Sequence, residues 1–263
     1  MGSRRALSMA VAGLLSGAVL GVPAVDAAPA TAHAAAARAA AALTAAAAAG
    51  TTSGAVVARY GLDGGRSSSI LDESGRGHTL RLVSGNDGTV RAVPHRSGQA
   101  LRFPAKCGGA GCPRAALQSP SSADLNPGTR NISYGAEILL APSQTSNGQN
   151  IVQKGYSTTS SQWKLQIDGT AGMPSCVLVG ASPGIKIVRS SVSVADGSWH
   201  TVECRRTSTA LRVIVDGAVR GSRAISPRLT ITNRLPLSIG AKGAYADNDQ
   251  FHGILDNIWV RIG

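Results

Sequence analysis

Aromatic residues are scarce, with only nine Phe, Tyr and Trp in 263 residues. Acidic residues are scarce too, 14 Asp and Glu against 26 Lys and Arg, for a formal charge of +12. So basic a chain suggests a nucleic-acid binder. Such proteins cluster their charge on one element and interleave aromatics, however, and here the basic residues are mostly Arg, scattered singly. After Arg4 and Arg5 the only adjacent pair is Arg205-Arg206, so specific nucleic-acid recognition is excluded. Weak adhesion to acidic polymers is the most that the charge implies. No apolar run after the first 22 residues approaches the roughly 18 residues of a membrane-spanning helix. Catalytic strings are also missing: there is no G-x-S-x-G elbow, no H-E-x-x-H helix and no phosphate-cradling glycine loop. The only adjacent acids, Asp72 and Glu73, sit in a Ser/Gly-rich turn, and the closest other pair, Asp247 and Asp249, in a loop. Glu137 and Glu203 each stand alone on a strand-like segment. The expectation is therefore of no catalytic residues, because one acid without a partner cannot act as both acid and base.

What is present begins with a leader. Arg4 and Arg5 precede an uncharged apolar stretch over 6–22, Pro23 breaks it, and Val25-Asp26-Ala27 offers small residues where a signal peptidase reads. This is the anatomy of a signal peptide over 1–27, and it predicts a secreted, extracellular product beginning at Ala28. Residues 28–54 are mostly alanine; they favour helix but carry no apolar stripe to bury, which reads as a low-complexity linker.

From residue 55 the texture changes to short β-branched runs punctuated by Gly, Pro, Ser, Asn and Asp, the pattern of an all-β sandwich or barrel. Strict alternation places Ile132, Tyr134, Ala136, Ile138 and Leu140 on one face, likewise Trp163, Leu165 and Ile167, and Leu211, Val213 and Val215. Near the end Ile258, Val260 and Ile262 share one face while Asn257, Trp259 and Arg261 take the other. Further strands are expected at 55–60, 79–83, 100–104, 174–180, 185–191, 199–206 and 235–240, about eleven in all, forming one domain over 55–263. With nine rings to fill the core, only Tyr156, Tyr245 and Trp259 look free to face solvent and meet a ligand.

The four cysteines, 107, 112, 176 and 204, are an even number in an exported chain and predict two disulfides. Three pairings are possible. Cys107 and Cys112 flank GGAG, whose glycines can take the positive φ angles of a tight ring, which leaves Cys176 to pair with Cys204. Zinc is a poor alternative, since His78, His95, His200 and His252 are dispersed along the sequence.

Residues 195–221, ADGSWHTVECRRTSTALRVIVDGAVRG, carry the densest motif. Asp196-Gly197 reads as a turn, Trp199 as the anchor of the strand it opens, and Asp216-Gly217 as a hairpin dipeptide. This D-G-x-W-H-x-V string with its V-D-G partner resembles the laminin-G-like, concanavalin A-type lectin/glucanase jelly roll. Other pieces fall in matching order: ARYGLDGG with LDESGRGHTLRLVSG, then SGQALRF, PLSIGAK and the closing FHGILDNIWVRIG. The resemblance spans 55–263. It implies a two-sheet antiparallel jelly-roll sandwich and a non-catalytic binding or adhesion module, with a glycan or cell-wall polymer as partner. A carbohydrate-active enzyme of the same fold and a structural envelope protein are the alternatives it leaves. It also implies one structural Ca²⁺. Two places supply the oxygen ligands this ion wants: Asp247, Asn248 and Asp249 in a loop, and Asp63 paired with Asp256 of the closing strand.

Overall fold

The computed structural model describes residues 54–63, 69–159, 161–180 and 184–263. The expected leader, and the expected linker except its last residue, lie outside the described residues.

Two antiparallel eight-stranded sheets stack face to face. Sheet I contains β1 (Ala55–Tyr60), β4 (Arg91–His95), β5 (Gly98–Arg102), β7 (Ile132–Leu139), β12 (Trp199–Arg206), β13 (Ala210–Val215), β14 (Ala218–Ala224) and β16 (Ile254–Ile262). Its order is β14-β13-β12-β7-β16-β5-β4, and β1 also pairs with β16. Sheet II contains β2 (Ser69–Ile70), β3 (Leu80–Gly85), β6 (Arg114–Ser119), β8 (Gly148–Tyr156), β9 (Ser161–Asp168), β10 (Met173–Val179), β11 (Ile185–Arg189) and β15 (Leu237–Ile239). Its order is β11-β10-β9-β8-β15-β6-β3-β2.

Side chains alternate across each strand, so one set of positions fills the space between the sheets. Ile132, Tyr134, Ala136 and Ile138 of β7 are fully buried, as are Trp163, Leu165 and Ile167 of β9. Tyr134 and Trp163 meet at 4.8 Å between ring centroids. Each places its polar atom on a backbone carbonyl, the Trp163 indole N–H on Leu125 and the Tyr134 hydroxyl on Lys164, so neither ring is buried with an unmet donor. The adjacent basic pair splits across β12. Arg205 faces outward, while Arg206 points in, wholly buried, and donates to the carbonyls of Gly128 and Leu229.

Both expected disulfides are present. Cys107–Cys112 closes the short glycine-rich loop, and Cys176–Cys204 joins β10 of sheet II to β12 of sheet I with Cα atoms 5.5 Å apart. On loop-closure entropy the first contributes roughly 2 kcal/mol and the second roughly 3.5 kcal/mol. Only the second ties the two layers together.

β16 organises the centre of sheet I. Its first residues, Ile254 and Leu255, pair with β5, and its last five with β1, so two strands share one of its edges. On the other edge, facing β7, the register shifts between Asp256 and Trp259. Asn257 in this bulge has φ +46°, a conformation asparagine tolerates better than most residues.

Candidate functional site

The outward positions of sheet II form an uninterrupted row across all eight strands: Ile187, Val177, Lys164, Gln153, Ser238, Gln118, Arg81 and Ser69. Its centre is polar yet sunk, with Gln153, Ser238 and Lys164 all buried. The row is cross-linked by hydrogen bonds. Gln118 donates to the Ser238 hydroxyl at 2.8 Å, and in the next rung Gln166 donates to Ser175 at 3.1 Å.

Residues 240–250 lie across this face. Lys242 offers its carbonyl to Gln118 and to the Tyr156 hydroxyl at 3.1 Å each. Asp249 accepts from Lys164 at 2.8 Å and pairs with Lys242 at 2.9 Å. Burial pushes the Asp249 carboxyl up, but the Lys164 and Lys242 ammonium groups outweigh it and hold the acid below the usual carboxylate range.

Between this loop and the β9–β11 surface runs a groove of about 570 Å³, lined by Tyr156, Gln162, Lys164, Gln166, Ile187 and Tyr245 among others. Tyr245 stands on its rim, 49% exposed. Burial first, and then the Tyr156 hydroxyl beside it, push its phenol well above the ordinary value, so it stays a neutral donor. Two of the three aromatics expected to meet a ligand, Tyr156 and Tyr245, are thus brought to one groove, and Trp259 is not among them.

Trp259 lies on sheet I, over a second groove of about 470 Å³ lined by Arg59, Ser133, Glu137, Thr201, Glu203, Arg205 and Arg261 among others. Its indole covers Gly135, where an added Cβ would sit 3.0 Å from the ring. Glu137 and Glu203, isolated in sequence, face this same groove because β7 and β12 pair with Glu137 opposite Thr201 and Glu203 opposite Gly135. Both carboxylates are ion-paired. Arg205 takes Glu203 through two nitrogens at 2.6 and 3.1 Å, and Arg96 takes Glu137 Oε1 at 3.1 Å. Glu137 is more than a solvent-facing strand residue, since its side chain is only 16% exposed.

Three of the four acids expected to ligate calcium, Asp63, Asp249 and Asp256, already have partners. Besides Asp249, the Asn248 amide is buried and donates to the Gly243 carbonyl, while Asp247 is exposed with φ +57°. A cation in that loop would have to displace two ammonium groups from Asp249. Asp63 and Asp256 both reach the β4–β5 hairpin, but at different residues: Asp63 accepts from the Gln99 amide, and Asp256 bonds the His95 ring.

The motif histidine, His200, clips the sheet I end together. Nδ1 meets Asp216 at 2.8 Å and Nε2 meets Asp196 at 3.1 Å. With both ring nitrogens engaged, the residue holds the turn and the hairpin in register.

Residues 114–261 match the Laminin_G_3 family, described as the Concanavalin A-like lectin/glucanases superfamily, over more than half of the chain. The chain belongs to that superfamily. Solved structures of similar fold include toxin binding domains and a domain of an arabinanase. The binding domain of Paraclostridial Mosquitocidal Protein 1 superposes with a TM-score of 0.59 at 14% identity, over 78% of this chain and 48% of that one. Domain 4 of AbnA, a GH43 extracellular arabinanase from Geobacillus stearothermophilus in complex with arabinotriose, gives 0.59 at 16% identity, over 80% and 93%. The binding domain of Botulinum Neurotoxin DC in complex with SialylT gives 0.56 at 10% identity, over 79% and 48%. This chain therefore spans about half the length of the toxin structures and nearly all of the arabinanase domain. No curated protein matches it by sequence.

Proposed function

We propose that this member of the concanavalin A-like superfamily is a non-catalytic carbohydrate-binding module that works outside the cytoplasm and seats a short neutral oligosaccharide on the outer face of sheet II. One observation carries the reading. An exposed Tyr245, with Tyr156 beside it, rims a groove whose floor is made of Gln162, Lys164 and Gln166. A sugar ring offers an apolar C–H face and a fringe of hydroxyls; an aromatic rim over amide donors and acceptors is the complementary surface. The cations in this groove are held by Asp249, so it carries little unbalanced charge to demand an acidic ligand. The arabinotriose complex of the structurally similar arabinanase domain supports the same class of partner. Two disulfides support the compartment, because such bonds persist where the surroundings oxidise.

The alternative enzyme reading has one observation in its favour, the convergence of Glu137 and Glu203 on the sheet I groove. It is disfavoured because each carboxylate faces a guanidinium, and a neighbouring cation opposes the proton that a general acid must carry. Titration calorimetry with arabinotriose and a panel of neutral oligosaccharides tests the proposal. Wild type is expected to bind at least one of them, and Tyr245→Ala or Gln166→Ala to weaken it about tenfold, or about 1.4 kcal/mol, at unchanged Tm. Absence of binding at millimolar sugar, or binding that survives Tyr245→Ala and disappears with Trp259→Ala, overturns it.

A further inference from the structure

Where Glu137 borders the sheet I groove, three side chains from three distant parts of the chain converge. His95 ends β4, Glu137 faces out from β7, and Asp256 precedes the bulge of β16. One ligand atom from each lies within 4.8 Å of the other two. His95 and Asp256 are held almost entirely out of water, their side chains 8% and 5% exposed, with Nδ1 and Oδ2 2.5 Å apart. The imidazole is locked from its face by Trp199, stacked at 3.9 Å between centroids and 20° between planes. Asp256 is fixed through its other oxygen, which accepts from the Asn257 amide at 2.6 Å. Glu137 Oε1 is taken by Arg96, and Oε2 is buried without any hydrogen-bond partner.

The pairings present do not complete this cluster. A buried carboxylate oxygen with no donor carries the full cost of its lost hydration. Two carboxylates thus share a dry corner with one imidazole, and the single guanidinium there, Arg96, reaches only Glu137 Oε1, which leaves Oε2 open to a bound cation.

We propose that His95 Nδ1, Glu137 Oε2 and Asp256 Oδ2 form a binding site for a divalent transition-metal ion of the zinc class. The donor set decides the class. Calcium takes six to eight oxygens, whereas imidazole with two carboxylates suits Zn²⁺ and similar ions at about 2.0–2.2 Å. The imidazole is the reason this differs from the calcium expected at Asp256, and its ligands come from β4 and β7 instead of Asp63. Three protein donors leave one position of a tetrahedral ion for water. Glu137 also lines the sheet I groove, so that position opens toward solvent on the face opposite the proposed sugar site. On binding, the proton held between Nδ1 and Oδ2 leaves, to Nε2 of the same ring or to solvent, and the two freed ligand atoms separate from hydrogen-bond distance to the spacing of tetrahedral neighbours.

The test uses the whole disulfide-bonded domain, stripped with chelator, and titrates Zn²⁺, Co²⁺ and Ca²⁺ separately. One Zn²⁺ per chain at micromolar or lower dissociation constant is expected, with a rise of several degrees in Tm. Co²⁺ is expected to give the visible absorption of a low-coordinate ion, and Ca²⁺ at the same concentration to leave Tm unchanged. Glu137→Gln keeps shape and hydrogen bonding at a partly exposed position, so it should fold with the Tm of the stripped wild type and lose at least tenfold in Zn²⁺ affinity. His95→Gln should remove the cobalt absorption. Failure of the stripped wild type to bind Zn²⁺ overturns the proposal, as does stoichiometric binding that both variants retain, which would place the ion elsewhere. Since neither variant touches sheet II, sugar binding reports separately on the proposed function.

Discussion

On sheet II the outward row from Lys164 to Gln118 carries amides, a hydroxyl and one ammonium, and that ammonium is paired with Asp249, which also holds Lys242 of the same covering loop. On sheet I the outward positions of β7, β12 and β16 carry Glu137, Glu203, Arg205 and Arg261 around Trp259. Strand alternation is the same on both faces, so the contrast is one of chemistry. The first surface presents balanced, hydrogen-bonding groups beside two tyrosines, suited to an uncharged polyol. The second presents fixed ion pairs and one incompletely satisfied carboxylate cluster, suited to an ion. A single sandwich can therefore offer two unrelated sites, back to back, without either constraining the other.

The largest expected effect comes from unbalancing the sheet II cluster. Asp249→Asn leaves the Lys164 ammonium, only 7% exposed, without its carboxylate. Removing one partner of a buried pair costs about 3 kcal/mol, and for a domain of this size each kcal/mol lowers Tm by roughly 2–4 °C. Thermal unfolding of the variant should show a drop of that order. A change below about 1 kcal/mol, by the same yardstick, would mean that the cluster is solvated like an ordinary surface pair, and the contrast between the faces would fail.

A milder substitution on the opposite face asks whether the two surfaces are independent. In Gly135→Ala the new Cβ would lie 2.5 Å from the Val202 carbonyl oxygen and 3.0 Å from the Trp259 ring. Overpacking of this kind costs about 2 kcal/mol. The indole must lift, so tryptophan fluorescence should shift while oligosaccharide affinity on sheet II stays at the wild-type value. A parallel loss of sugar binding would show that the faces are coupled through the sandwich.

Much of the framework was legible because alternation is a strong signal where a strand has one wet face. β7, β9, β13 and the end of β16 follow it residue by residue, and β1 and β12 begin and end where their composition says. The count rises from about eleven expected strands to sixteen among the described residues, and three of the additions have physical reasons for being obscure. β8 is missed by the alternation test because a register shift between Asn150 and Val152 puts Ile151 and Val152 both inside and breaks the period of two. β4 contains Pro94, tolerable at a sheet edge, and β14 is an exposed edge strand carrying Gly221 and two arginines. The disulfide pairing was readable from one glycine-rich loop. The sites were readable only as isolated residues. Tyr156 and Tyr245 are joined by a loop laid over a distant strand, and His95 and Asp256 are 161 residues apart. No local pattern encodes either meeting, although the pairing of β7 with β12 would have placed Glu137 and Glu203 on one face had the register been known.

The smallest effect concerns the motif histidine, which belongs to neither surface and so calibrates both. Burial alone lowers the His200 pKa, but its hydrogen bonds to the Asp216 and Asp196 carboxylates, with their charges, outweigh it, and the imidazole sits above its ordinary value of 6.5. A group whose pKa is raised by folding contributes stability that is fully present below its unfolded pKa and is lost as pH rises through the folded one. Asp196 is held below the ordinary 3.8, first by the Ser198 amide and then by His200, so it remains charged throughout the window in which His200 titrates. His200→Asn should therefore cost more at pH 5.5 than at pH 9. Because Asp196 and Asp216 are both about half exposed, screening keeps the extra loss to about 1–2 °C in Tm. Melting curves of wild type and variant at the two pH values measure it directly. An equal difference at both would show that His200 acts only as a neutral hydrogen-bonding spacer between the turn and the hairpin. A larger difference at pH 9 would mean that the ring is held neutral in the folded state, and the signature histidine would then be a buried base instead of a charged clip.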